Sequence, residues 1–275
     1  MGRVDRCLDD PRRFQSLLRM PTYRIDLAYD GTDFHGYGRQ NNVRTIQGDL
    51  ETALFRITGE VKTAVAGRTD AGVHASGQVV SFFVDAPLDT DRLQRSLNAQ
   101  LGPEIAANAI VEVGDRFHAR FSAVERRYRY RISNRPVHDP LTARTAWHVP
   151  EMLDVGAMDE AVGAFIGVHD FASLCRKAPG RTTVREVLSA RWVRTGDVIE
   201  LSIGAVAFCH QMVRSIVTVS VDIGKGRSRP EDVPVILAAR SRGVIRGLAP
   251  PHGLTLTAVV YDDSNGGAVP SWVVL

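Results

Sequence analysis

The spacing of apolar positions changes several times along the chain, and each change marks an element. TYRIDLAY, Thr22 to Tyr29, alternates in β-forming residues and reads as a strand. DGTDFHGYGRQNN, residues 30–42, is a Gly- and Asn-rich loop. IQGDLETALFRIT then sets Ile46, Leu50, Ala53, Leu54 and Ile57 at helical spacing, with Thr45 ahead of it as a cap. Lys62 to Ala66 and Gln78 to Val84 read as strands on either side of a loop from Arg68 to Gly77. A second helix starts at Asp89 or Thr90 and runs through Gln100, with Leu93 and Leu97 on one face. Ile105 to Val113 is a strand. The order β-α-β-β-α-β is the ferredoxin-like split unit, and one more strand, Glu125 to Ser133, extends its sheet.

A connector with three prolines, Asn134 to Pro150, separates this half from a looser second one. That half opens with a helix near Met152 to Ile166. Strands near Glu186 to Arg194 and Val198 to Ala205 flank a Thr-Gly-Asp turn. An apolar-striped helix, Cys209 to Ile223, follows. Pro230 to Ala239 is a helix with Pro at its first turn, and Leu254 to Tyr261 is the last strand. The expected fold class is α+β: two ferredoxin-like (RRM-like) halves, their mainly antiparallel sheets joined, flanked by helices, with a central cleft. The expected divisions are a disordered or locally helical extension over 1–21 (Met20 offers a second start), halves over 22–135 and 151–264, the connector 136–150 between them, and a Gly/Ser-rich tail over 265–275.

Composition narrows the field without choosing a function. The 275 residues suffice for a substantial core, and no apolar run is long enough to span a bilayer. The first twenty residues carry charges throughout and have no apolar signal core. Cys7, Cys175 and Cys209 are few, odd in number and far apart. That pattern predicts a reducing, cytoplasmic compartment with no disulfide framework and no zinc site. His118 and His210 lie near basic or apolar runs, but no HxH or HExxH spacing exists, so no metal centre is expected. Net charge is +3, with seven Arg against two acids between Asp115 and Arg135. A basic stripe on a near-neutral chain points to a polyanionic partner; the 31 Arg against 3 Lys also reflect a general preference for Arg.

Four stretches carry candidate chemistry, each with a plainer alternative. In GRTDAG, Asp70 is the sole acid between Glu60 and Asp85, with Arg68 two residues before it. The plain reading is a tight turn. The functional one is a carboxylate on a rigid rim, kept ionised by an arginine and serving as nucleophile or base. In ERRYRYRI, alternation puts Arg127, Arg129 and Arg131 on one face and Tyr128 and Tyr130 on the other. Either the tyrosines are core and the arginines solvated, or arginines meet phosphates while a tyrosine stacks on a base. In AFCHQMVRSIV, Phe208, Met212, Ser215 and Val219 form a stripe, and Arg214 either snorkels or is buried against a carboxylate such as Asp70. Asp30, Asp33 and His35 sit in the first loop, but GYGRQ is neither a P-loop nor a GxGxxG fingerprint.

Taken together, AGRTDAGVHASGQVVSF, YDGTDFHGYGRQ, FHARFSAVERRYRYRI, HDFASL with RTTVREV, and AFCHQMVRSIV with APPHGLTLTAVVY resemble the tRNA pseudouridine synthases of the TruA type from about Tyr23 to Tyr261. The resemblance implies a pseudouridine synthase fold and an isomerase that converts uridine to pseudouridine at positions 38, 39 and 40 of the tRNA anticodon arm. It implies no cofactor, no metal, and a homodimer across which tRNA lies. By match to the family's motifs, Asp70 is the catalytic acid, Arg214 its partner on the helix, Tyr128 the substrate-contacting tyrosine, and Arg68 the loop arginine linked to nucleotide displacement. Two departures stand out: where the family loop commonly reads GWQRQ, this chain has Tyr37 and Gly38, and its N-terminal extension before Pro21 is longer than typical. The rival expectations are a non-catalytic RNA-binding module and, less in keeping with the sparse acids and His, a metal-dependent nuclease.

Overall fold

Strand β1, Thr22–Tyr29, is buried at almost every position, so it needs a neighbour along both edges. The computed structural model, which describes residues 20–176 and 180–262, supplies them: β3 (His74–Phe83) and β4 (Ile105–Val113), both antiparallel to β1. The pair β2 (Ala64–Val65) adds to the far edge of β3. Helices α1 (Ile46–Thr58) and α2 (Thr90–Leu101) pack on each other over this unit. Their starts follow the sequence chemistry. Thr45 Oγ1 accepts from Gly48 N at 3.2 Å, and Asp89 Oδ1 accepts from Arg92 N at 2.9 Å. The β-α-β-β-α-β unit is therefore present in its expected order.

The remaining strands are β5 (Ala123–Ser133), β6 (Trp147–His148), β7 (Gly167–Asp170), β8 (Val184–Thr195), β9 (Val198–Ala205) and β10 (Leu254–Tyr261). One ten-stranded sheet runs β4-β1-β3-β10-β5-β9-β8-β7, with β2 on β3 and β6 on β5. Helices α3 (Val155–Gly163) and α4 (Met212–Gly224) pack together in the second half. The short α5 (Val233–Ala238) follows a 3-10 turn at Pro230–Asp232.

Several expectations are corrected. The strand Glu125–Ser133 does not extend the first unit directly, because β10 lies between it and β3. β10 is parallel to β3 at Thr255↔His74 and antiparallel to β5 along its length. A strand from the end of the chain thus joins the two halves. β3 begins at His74 rather than Gln78, since His74 and Ala75 pair with β10 and Ala75 also pairs with β1. α4 begins at Met212 rather than Cys209: Gln211 takes a left-handed φ of 68° and breaks the approach. α3 is shorter than the 152–166 span, and the Pro230 helix is split into a 3-10 turn and α5. β6 and β7 have two and four residues, too few for alternation to register.

Cys175 and Cys209 form a disulfide with Cα atoms 5.8 Å apart, which corrects the expectation of unpaired cysteines. The β7–β8 connection folds back onto the approach to α4, and the 34-residue separation hid this in the sequence. Most of the expected N-terminal extension, and the tail over 265–275, lie outside the described residues. Among the described residues no helix is long and apolar enough to cross a membrane.

Candidate active site

The loop between β2 and β3 carries Asp70, and its backbone is held from several sides. Gln78 Nε2 donates to the Gly67 carbonyl at 2.8 Å. Tyr37 N donates to the Thr69 carbonyl at 3.0 Å. The Thr69 and Tyr29 hydroxyls are 2.9 Å apart, and Val73 N closes the turn onto the Asp70 carbonyl at 3.2 Å. Gly36 crosses this loop with φ of +92°, and a Cβ there would sit 3.0 Å from the Thr69 carbonyl oxygen. That approach and that φ both require glycine. Asp70 is thus set on a rigid rim.

α4 brings the counter-charge from 144 residues away. Arg214 NH1 donates to Asp70 Oδ2 at 3.1 Å, and its Nε donates to the Ala249 carbonyl at 2.7 Å. The Arg214 side chain is only 12% exposed, so it is a buried guanidinium with a carboxylate, not a snorkelling one. The second carboxylate oxygen, Oδ1, lies 3.2 Å from His210 Nε2. His210 was noted in the sequence only as a histidine without metal spacing. Its place depends on the backbone ahead of α4, where Arg176 N donates to the His210 carbonyl at 3.0 Å. No local pattern signals that contact.

The acid opens onto a cavity of about 560 Å³, lined by the 35–40 loop, the 68–71 loop, His210, Gln211, Arg214 and Pro251. Arg68 is on its wall, exposed, with Gly38 beside its guanidinium; a Cβ at Gly38 would come within 3.3 Å of Arg68 Nε. Arg68 is therefore not the ion-pair partner of Asp70; that role falls to Arg214. Tyr37 is fully buried, and its hydroxyl has no hydrogen-bond partner among the described residues. Burial raises its phenol well above the ordinary value.

Tyr128 is buried and stands edge-on to Phe208, ring centroids 5.1 Å apart. Burial raises its phenol above the ordinary value, and the negative charge of Asp70 pushes the same way. The Tyr128 hydroxyl reaches the Asp70 loop, 4.0 Å from where a Cβ on Gly67 would sit, although Tyr128 is not among the cavity-lining residues. The alternation in β5 is as expected: tyrosines in the core, Arg127, Arg129 and Arg131 half-exposed on the other face. Those arginines meet glutamates instead of open solvent. Arg127 binds Glu125 through two hydrogen bonds of 3.0 Å, and Arg129 and Arg131 both reach Glu200. Asp30 and Asp33 do not converge on Asp70, whereas His35 lines the same cavity. Asp30 and Asp33 pair with Arg144, and Asp30 also with His74.

An ion-paired carboxylate beside a polar cavity is a candidate site for acid or base chemistry. The family model described as tRNA pseudouridine synthase matches residues 27–122 and 161–262. Among curated proteins, the chain is 42% identical over 263 residues to "tRNA pseudouridine synthase A" of Leifsonia xyli subsp. xyli, covering 87% of this chain and 91% of that one. It is 44% identical over 246 residues to the protein of the same name from Moorella thermoacetica, covering 88% and 100%. The Streptomyces griseus protein of that name is 43% identical over 252 residues, covering 86% and 87%. The chain belongs to the tRNA pseudouridine synthase family, and it is an isomerase.

Proposed function

We propose that this chain converts uridine to pseudouridine in tRNA, at positions 38, 39 and 40 of the anticodon arm, with Asp70 as the acting acid. The observation that carries this reading is the Asp70–Arg214 pair at the cavity wall, in a chain so similar to proteins named for that activity. The reaction breaks the N1–C1′ bond, turns the uracil, and forms a C5–C1′ bond. The C5 proton leaves and N1 gains one, so no oxidant, reductant or energy source is consumed.

The residues suit these demands. Asp70 either attacks C1′ or removes the C2′ proton to give a glycal; both begin from the same ionised carboxylate. Arg214 supplies its counter-charge and fixes Oδ2, while His210 steadies Oδ1. Water must be kept from the sugar intermediate while the reaction runs. The target nucleotide must leave its stack to reach Asp70. Tyr128, whose hydroxyl faces Gly67 of the Asp70 loop, is the tyrosine that contacts the flipped nucleotide, and Arg68 on the wall contacts the RNA as the nucleotide is displaced. The protein acts as a homodimer in the cytoplasm, with tRNA spanning both subunits.

Release of label from C5 of uridine in a tRNA transcript tests the assignment. Asp70→Asn is expected to retain tRNA affinity and lose turnover by at least about a thousandfold. Turnover near wild type in that variant would remove Asp70 from the mechanism. An inactive wild-type protein that still bound tRNA would favour a non-catalytic RNA-binding module.

A further inference from the structure

Phe121 is 76% exposed, and the turn that presents it is anchored from several sides. Ser122 N donates to the His118 carbonyl at 2.9 Å, and His118 N donates to Ser122 Oγ at 3.0 Å. From beneath, Ala119 N donates to Ser81 Oγ at 3.0 Å and the Tyr261 hydroxyl donates to the Ala119 carbonyl at 2.7 Å. The buried Arg126 guanidinium closes the anchor, donating to the Arg120 carbonyl at 2.6 Å. A side chain on so fixed a turn is displayed, not left over.

The surroundings of Phe121 specify what would meet it. The His118 ring lies 4.5 Å from it, tilted, and the Arg120 guanidinium carbon lies 5.5 Å from its centroid. Arg116 and Arg120 are exposed, and neither has an ion pair among the described residues. This contrasts with Arg127, which pairs with Glu125, and with Arg129 and Arg131, which share Glu200. An exposed aromatic face with the Arg120 guanidinium beside it, and Arg116 five residues before Phe121 in the chain, matches an unstacked base and its phosphates. Its location fits too: the same Arg126 that holds the Arg120 carbonyl donates to the Ala66 carbonyl at 3.1 Å and the Val206 carbonyl at 2.8 Å. Ala66 is four residues before Asp70, at most about 14 Å of chain, so turn and acid share one rigid mount.

We propose that the His118–Ser122 turn is a stacking platform for an unpaired base of the RNA substrate, with Phe121 as its face and Arg116 and Arg120 as phosphate contacts. This rests on the tRNA reading above. The test uses an unmodified tRNA transcript with wild type, Phe121→Ala, Phe121→Leu and Phe121→Tyr, measuring kcat and KM for pseudouridine formation and Kd by filter binding. Phe121→Ala is expected to raise KM and Kd about tenfold, a typical loss for one stacked base, with kcat within about twofold. Phe121→Tyr should restore both constants, and Phe121→Leu should not. A Phe121→Leu protein equal to wild type, or unchanged constants in Phe121→Ala, would overturn the platform. So would a change in sedimentation with unaltered RNA binding, which would make Phe121 a protein contact. If wild type forms no pseudouridine, the functional reading has failed; the Kd comparison still judges the platform.

Discussion

Asp70 has both carboxylate oxygens engaged, and the two partners differ in burial. Arg214 is 12% exposed and His210 47% exposed, so desolvation makes the first contact much the stronger. Arg214→Ala is accordingly expected to lower kcat at least about a hundredfold with a modest change in tRNA Kd. His210→Ala should cost less than about tenfold in kcat. Equal losses in single-turnover assays would contradict this ranking. Tyr37 makes a separate case. Its buried hydroxyl finds no protein partner among the described residues, so Tyr37→Phe should raise stability by about 1 kcal/mol in a denaturant melt. Asp70, Arg68, Tyr128 and Arg214 were all legible as candidates because each sits in a distinctive local run. Which arginine serves Asp70 was not legible, since the contact joins residues 144 positions apart. His210 offered no local signal at all.

The helices and the longer strands followed from periodicity, and their limits show where periodicity stops informing. α1 and α2 start where Thr45 and Asp89 cap them, and β1, β4 and β10 span the predicted residues. The failures are at ends and in short pieces: Gln211 turns left-handed, and two-residue strands exist only because a neighbour pairs with them. Thr45→Ala should destabilise the fold by about 1 kcal/mol through loss of the cap, visible as a lower denaturant midpoint at unchanged m-value. Gly36→Ala acts on the loop packing instead. With φ of +92° and the Thr69 carbonyl in its path, it should cost more than about 1 kcal/mol and reduce turnover by displacing the Asp70 rim. Retained stability with full activity would show that the rim tolerates movement.

Across the fold, one buried guanidinium does much of the joining. Arg126 donates to carbonyls at Ala66, Arg120, Ala123 and Val206, linking the acid's loop, the Phe121 turn and the approach to α4. The pH response of the folded state has an identifiable contributor in His252, beside the cavity residue Pro251. Burial holds its imidazole below the ordinary 6.5. The unfolded chain therefore takes up that proton first, so its contribution is complete above about pH 6.5 and is lost as pH falls below it. Denaturant melts between pH 8 and 5 should show a shallower acid-side decline in His252→Gln than in wild type. Sedimentation of the wild-type chain checks the homodimer.

Alternation, helical spacing and capping chemistry are properties of neighbours in the chain, and they sufficed for the α+β class, the order of the first unit and the motifs that resemble one family. The tertiary structure decided the rest. Local patterns mark Leu254–Tyr261 as a strand but do not say that it lies between β3 and β5, because pairing partners are chosen by contacts between distant segments. The same holds for charge. ERRYRYRI reads equally as a phosphate-binding face and as a solvated one until Glu125 is seen to pair with Arg127, and Glu200 with both Arg129 and Arg131. GRTDAG reads as a simple turn until α4 lays Arg214 against Asp70, since burying a guanidinium is favourable only once its carboxylate is in place.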